Sequence, residues 1–243
     1  MSFDDYVVLL IAKRIAGDIV FSDDPPSTLR KWREYFEVSQ ADIARFMRIS
    51  PSVISDYEKG RRVPGVRFVQ RYVAALLESD KLKGWRRVSS MAASLGMIPG
   101  VVLDMMEFSR PLSLDEFVEV VKGVLLTPEV RSDRLVYGYT MVDSIKTILT
   151  LSGIQYSVLF GMTPERAIIF TKVQAGRSPM VAVRVSPVKP SVVVIHGPRD
   201  EVDALAVEIA RRDNIPLILS LAKDVEELKS LLRTSSRSSS HLA

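Results

Sequence analysis

Apolar residues recur at helical spacing along the first part of this chain, and in β-rich runs along the last. Over residues 3–18, Val7, Leu10, Ile11 and Ile15 share one face, which predicts an amphipathic helix. Acidic SDDPP (22–26) reads as a loop. Two short helices are then predicted within 39–59, joined by the turn Arg48-Ile49-Ser50. Ser39 caps the first, which begins at Gln40 and turns Ile43, Ala44 and Met47 inward. Ser50 caps the second, and Pro51 sits where its missing N–H costs nothing. In that second helix Val53, Ile54 and Tyr57 face the core, while Ser52, Ser55 and Asp56 stay outside. A further helix over 66–78 carries Phe68, Val69, Tyr72, Val73, Leu76 and Leu77 toward the same core.

Beyond residue 78 the pattern is less regular. Lys81, Lys83, Arg86 and Arg87 read as a basic linker, and Gly or Pro at 96, 99, 100 and 111 interrupts regular structure. Ser113-Leu-Asp-Glu116 is a capping-box sequence opening a helix to about Leu125. Thr140-Met-Val-Asp143 is read as opening another that ends near Gly153. From 155 the period shortens. YSVLF (156–160), RAIIFTKV (166–173) and MVAVRVS (180–186) are predicted strands, with a turn at Met162–Glu165 joining the first two. SVVVIHG (191–197) and IPLILS (215–220) are predicted buried strands around a helix over 200–214, with a last helix over 224–234. Continuous apolar strands alternating with helices indicate a parallel βαβ unit. The expected architecture is two-domain α+β: a helical domain at 1–80, a linker at 81–112, an α/β domain at 113–234 and a disordered Ser- and Arg-rich tail at 235–243.

Helix, short turn and helix, with small Ala44 where the two cross, is a helix-turn-helix arrangement that presents its second helix to the DNA major groove. Ser39-Gln40, Ile43-Ala44, Ile54-Ser55, Glu58, Gly60 and Pro64 stand where the lambda-repressor/Cro-like (XRE-type) motif has its characteristic residues, and residues 27–78 resemble that class. Arg48 departs from it, because the motif usually has Gly at that turn to accommodate a positive φ. More widely, the order GDIVFSDDP, the motif, GYTMVDSIK and RAIIFTKVQAGRSPMVAVRV resembles a family of archaeal helix-turn-helix-type transcriptional regulators. The resemblance implies an all-α Cro-like domain in which Gln40 bonds a phosphate and braces the recognition helix. Base edges would then meet Ser50, Ser52, Ser55 and Asp56, with Arg48 in the turn as a further DNA-facing residue. Lys59, Arg61 and Arg62 suit phosphates. Ser50 also serves as a cap, and Glu58 is expected to pair with a nearby arginine rather than read bases.

Charge sharpens this picture. The formal net charge is +4, but residues 30–88 hold 14 Lys/Arg against 7 Asp/Glu, whereas residues 89–243 hold 17 of each. The basic excess belongs to the motif region, as expected of a surface meeting phosphates. With 243 residues, 47% of them hydrophobic and 26% charged, the chain has ample core for two domains. Its lack of cysteine excludes disulfides and thiolate metal sites, and two histidines cannot make a zinc cluster alone. The apolar run Tyr6–Ala12 has acidic residues before it and Lys13-Arg14 after it, the reverse of a secretory layout, and no run has the length of a membrane span. A cytoplasmic protein is expected.

In the second domain two places are candidates for a ligand. The loop AGRSP (175–179) offers Arg177 and Ser178 to an anion, and His196 stands at the carboxyl end of a predicted parallel strand, where α/β sheets bind ligands. No nucleophile has a neighbouring base, no Gly-rich phosphate loop occurs and no residues have metal-ligand spacing, so no catalysis, cofactor or metal is expected. The expected partners are double-stranded DNA, a second copy of the chain and a small-molecule effector, with no membrane. The alternative is a coactivator-like interaction module resembling the multiprotein-bridging factors, which carry a Cro-like domain but lack this α/β partner. An enzyme built on the βαβ unit is a third class.

Overall fold

The computed structural model describes residues 5–97, 100–130, 133–150, 159, 163–198 and 202–237. The chain divides into two compact units, Met1–Met97 and Ile98–Ala243.

The first unit is helical: α1 (Asp5–Val20), α2 (Pro25–Tyr35), α3 (Gln40–Met47), α4 (Pro51–Glu58), α5 (Val66–Leu82) and α6 (Arg86–Ser94). Val7, Ile11, Ile15 and Ile19 recur every fourth residue along α1, and all are fully buried. Leu29 and Phe36, Ile43 and Met47, Ile54, and Tyr72 and Leu76 complete the core from the neighbouring segments. Tyr57 stacks on Phe68 with ring centroids 3.7 Å apart, which joins α4 to α5. The expected linker at 81–112 is not one. It contains the end of α5, all of α6 and strand β1 (Val102–Leu112), and the units divide between Met97 and Ile98. Its basic residues are partly structural. Lys83 Nζ donates to the Phe36 and Glu37 carbonyls at 3.1 and 2.7 Å, closing the C-terminal end of α2. Arg87 pairs with Glu37 and lies over the Tyr35 ring. Asp80, fully buried, accepts the Arg87 and Val88 backbone N–H groups and so starts α6.

The second unit is a six-stranded mixed sheet flanked by helices: β1, α7 (Leu114–Val120), β2 (Gly123–Leu125), β3 (Val136–Asp143), α8 (Ser144–Thr150), β4 (Ala167–Thr171), α9 (Arg177–Val185), β5 (Val192–His196), α10 (Ala204–Arg212), β6 (Leu217–Ser220) and α11 (Val225–Arg237). The strand order is β1-β3-β4-β5-β6-β2. β3 to β6 run parallel, and β1 and β2 close the two edges antiparallel. β4 and β5 are buried along their whole length, as their unbroken apolar sequences require. One side of the sheet packs Tyr139, Met141, Ile169 and Val194 against Phe117, Leu228 and Leu232 of α7 and α11.

Four expectations change here. Thr140–Asp143 is the end of β3, not a helix start; Asp143 is the residue whose carboxylate accepts the Lys146 N–H and opens α8. Residues 180–186 alternate apolar side chains like a strand but form most of α9, because Gly176 in a left-handed conformation and Pro179 in the first turn start a helix at Arg177. The helix opened by Ser113 does carry both hydrogen bonds of its capping box but ends at Val120, and Gly123–Leu125 pairs with β6 instead. α11 runs into the expected tail as far as Arg237. The strand expected at 156–160 lies outside the described residues apart from Leu159.

Candidate nucleic-acid interface

The helix-turn-helix is built from local caps first. The Ser39 hydroxyl accepts the Asp42 N–H at 3.1 Å and donates to the Asp42 carboxylate at 2.6 Å, which holds that carboxyl below its usual range. α3 ends at Arg48 in the left-handed conformation (φ 54°), so the turn is the one glycine usually makes, made here by an arginine. Ile49 N–H reaches back to the Ala44 carbonyl at 3.0 Å, and Ser50 in an extended conformation starts α4 one residue later. Ser50 holds the cap position without the cap bond. Its hydroxyl meets that of Ser52 at 2.8 Å, and both residues are exposed.

Behind α4 lies a buried polar cluster. The Glu58 side chain is 0% exposed and accepts Arg33 Nε at 2.7 Å, Arg33 Nη2 at 2.9 Å, Gln40 Nε2 at 2.8 Å and the Tyr72 hydroxyl at 3.2 Å. Tyr72 OH also lies 3.0 Å from the Leu29 carbonyl, and Arg33 Nη1 donates to the Val38 carbonyl at 3.1 Å. One carboxylate thereby ties α4 to α2, α3 and α5. Burial alone would raise its pKa; the hydrogen bonds from Arg33 and Gln40 and the Arg33 charge outweigh that, so it stays below its ordinary value. The same burial, with Glu58 alongside, pushes the Tyr72 phenol upward, so it remains a neutral donor. Glu58 is thus the structural partner expected of it, and with more ligands than one arginine.

The outward face of α4 carries Ser52 and Ser55, with Lys59, Arg61 and Arg62 following at its C-terminal end; Lys59 and both arginines are exposed. Asp56 differs from a free base-reading carboxylate: Arg61 Nη1 lies 3.4 Å and Arg62 Nε 3.6 Å from its two oxygens. Gln40 likewise has its amide nitrogen on Glu58, so it braces the helix from the inside. Sequence reading missed Arg30. Its Nη2 donates to the Glu58 carbonyl at 3.3 Å, setting a half-exposed cation against the last turn of α4. Nothing in the spacing of a residue 28 positions from its partner could have signalled it.

The three second-unit candidates do not come together as a constellation. Arg177 and Ser178 open α9 instead of lying in a loop between strands, and Arg177 Nε and Nη2 both donate to Asp203, the cap of α10, at 3.0 and 2.7 Å. His196 ends β5 as expected but is buried, with Nε2 3.0 Å from the Ala222 carbonyl. Sequence reading also missed Arg166, a fully buried guanidinium held by Glu107 at 2.9 Å and by the Met106 and Tyr139 carbonyls. Among the described residues no three His, Cys, Asp or Glu side chains converge on a metal-sized site, and no helix is long and apolar enough to cross a membrane.

Residues 27–82 match a family described as a helix-turn-helix domain. The whole chain is 46% identical over 224 residues to a protein of Archaeoglobus fulgidus named as an uncharacterized HTH-type transcriptional regulator, covering 92% of this chain and 96% of that one. It is 44% identical over 238 residues to a Methanocaldococcus jannaschii protein of the same description, covering 95% and 98%. No solved structure matches the chain.

Proposed function

This chain belongs to the family of HTH-type transcriptional regulators to which those two archaeal proteins belong, and on that premise we propose that it binds operator DNA sequence-specifically as a homodimer. In this reading α4 enters the major groove in the Cro-like manner. Ser50, Ser52 and Ser55 meet base edges, and Arg48, Lys59, Arg61 and Arg62 meet phosphates. Arg61 and Arg62 exchange Asp56 for phosphate oxygens on binding, and Gln40 acts chiefly by holding Glu58. Because the reading side chains are short, DNA shape supplies part of the specificity. The second unit carries dimerisation and effector response, not catalysis, and the protein acts in the cytoplasm. The regulator's name borne by both relatives does not favour the coactivator-like alternative.

The observation that carries this reading is the Glu58 cluster, which fixes α4 from behind while Ser50 and Ser52 at its start and the cations at its end stay exposed and Ser55 is half-buried. Titration of operator affinity against salt tests it. Replacing Arg61 and Arg62 together by Ala is expected to weaken binding to all sequences and to make the log–log salt slope shallower by about two units, from ~0.9 per lost phosphate contact. An unchanged slope places the phosphate-contacting edge elsewhere.

A further inference from the structure

α8 and α9 follow the adjacent parallel strands β3 and β4 and pack beside each other. The amphipathic pattern of α8 is inverted. Its inward residues are the hydroxyl-bearing Ser144 and Thr147, whereas branched apolar Ile145, Ile148 and Leu149 stand at i, i+3 and i+4 on the outward side. α9 adds Val181 and Val185 at i and i+4, turned away from its buried Met180 and Val183. Leu149 is 77% and Val185 74% exposed, and the other three are close to half exposed. No other helix of the second unit exposes more than one large apolar side chain among the described residues. Single exposed apolar residues are ordinary, but a stripe across two neighbouring helices marks a surface that something covers.

The charges beside the stripe select its occupant. Lys172 Nζ lies 2.7 Å from Asp143, on which the Lys146 charge also acts, Arg177 Nη2 lies 2.7 Å from Asp203, and Arg184 and Lys189 share Asp213. These cations are met by carboxylates of their own chain, so the face offers little to a nucleic acid, an acidic peptide or an anionic membrane. A second copy brings the same internally balanced pairs and an equal apolar stripe, and the two meet without a clash of like charge. We propose that two copies of the chain associate here in an isologous contact, each α8–α9 stripe against the same stripe of its partner. The proposal names the surface of the homodimer and rests on that reading, in which an inverted repeat takes two copies of α4.

Sedimentation equilibrium of the full chain tests the face. The wild type is expected to be a dimer at micromolar concentration. Leu149→Glu/Val185→Glu sets two carboxylates from each copy against one another, and is expected to raise the dimer dissociation constant about a hundredfold. Leu149→Ser/Val185→Ser, which removes apolar area without adding charge, is expected to raise it about tenfold. Neither pair should shift the urea midpoint of the monomer much, because both side chains lie outside the core. Leu205→Glu, exposed on α10, is the control and should leave the dimer intact. A dimer that both double variants leave as tight as wild type, or that Leu205→Glu weakens equally, overturns this face and spares the dimeric reading. A monomeric wild type overturns both. If that monomer co-sediments with neutral phosphatidylcholine vesicles and the Glu variant does not, the stripe meets lipid instead of a second copy.

Discussion

Removing the Glu58 carboxylate would leave Arg33, 14% exposed, facing an apolar interior without its counter-charge, and would strand the amide of Gln40. Glu58→Ala is therefore expected to cost about 3 kcal/mol, the loss typical of breaking a buried pair from one side, measured by urea unfolding of the first unit. The pH dependence follows from the direction of the shift. A carboxyl held below its ordinary value of 4.5 when folded adds stability above that value, and loses it as pH falls through the folded pKa. The gap in urea midpoint between wild type and Glu58→Gln should narrow as pH drops below about 4.5. A gap constant with pH would mean that the cluster does not hold Glu58 ionised. Sequence reading identified Glu58 as an arginine's partner, and it marked Arg48 as a departure at the turn that usually holds Gly, a turn the arginine nonetheless makes in the left-handed conformation. It did not find the cluster, because Arg33, Gln40 and Tyr72 lie 25, 18 and 14 residues away and meet only once four helices have packed.

Among the elements, those with local caps were legible and those set by crossover geometry were not. Ser39 and Ser50 mark α3 and α4 to the residue, and Ser113 with Glu116 marks the start of α7. The second element of that box is firmly ionised: Arg110 and the Ser113 N–H bring the Glu116 carboxyl down to about 2. By contrast, the sequence Met180–Ser186 reads like a strand, and the crossover between parallel β4 and β5, with the helix start at Gly176, makes it α9. Met180 and Val183 take the buried side, while Val181 and Val185 are left exposed. That start depends on Gly176. Gly176→Ala combines a left-handed alanine with a Cβ pressed on Ile195, and is expected to destabilise the second unit by about 2 kcal/mol in chemical denaturation. A loss under about 0.5 kcal/mol would show that the turn relaxes without cost.

For the whole molecule, the excess of basic residues lies in the part that carries the helix-turn-helix, but not all of it faces DNA. Arg33, Lys83 and Arg87 serve internal carboxylates and helix ends, whereas Arg48, Lys59, Arg61 and Arg62 are exposed around α4, with half-exposed Arg30 against its last turn. The division of the chain was foreseen in kind and misplaced in position, because α6 adds a further helix beyond the motif domain where the basic run looked like a linker. On the proposed reading, one eight-residue helix per copy meets the bases, and a dimer would gain specificity by doubling it. The most direct measurement is selection of duplexes from random DNA by the purified full chain, repeated with Ser52→Ala/Ser55→Ala. The wild type is expected to enrich an inverted repeat with half-site centres about 34 Å apart, and the double variant to change the preferred bases without changing the spacing. Enrichment of no sequence, or of the same sequence by both proteins, would contradict the assignment of α4 as the reading helix.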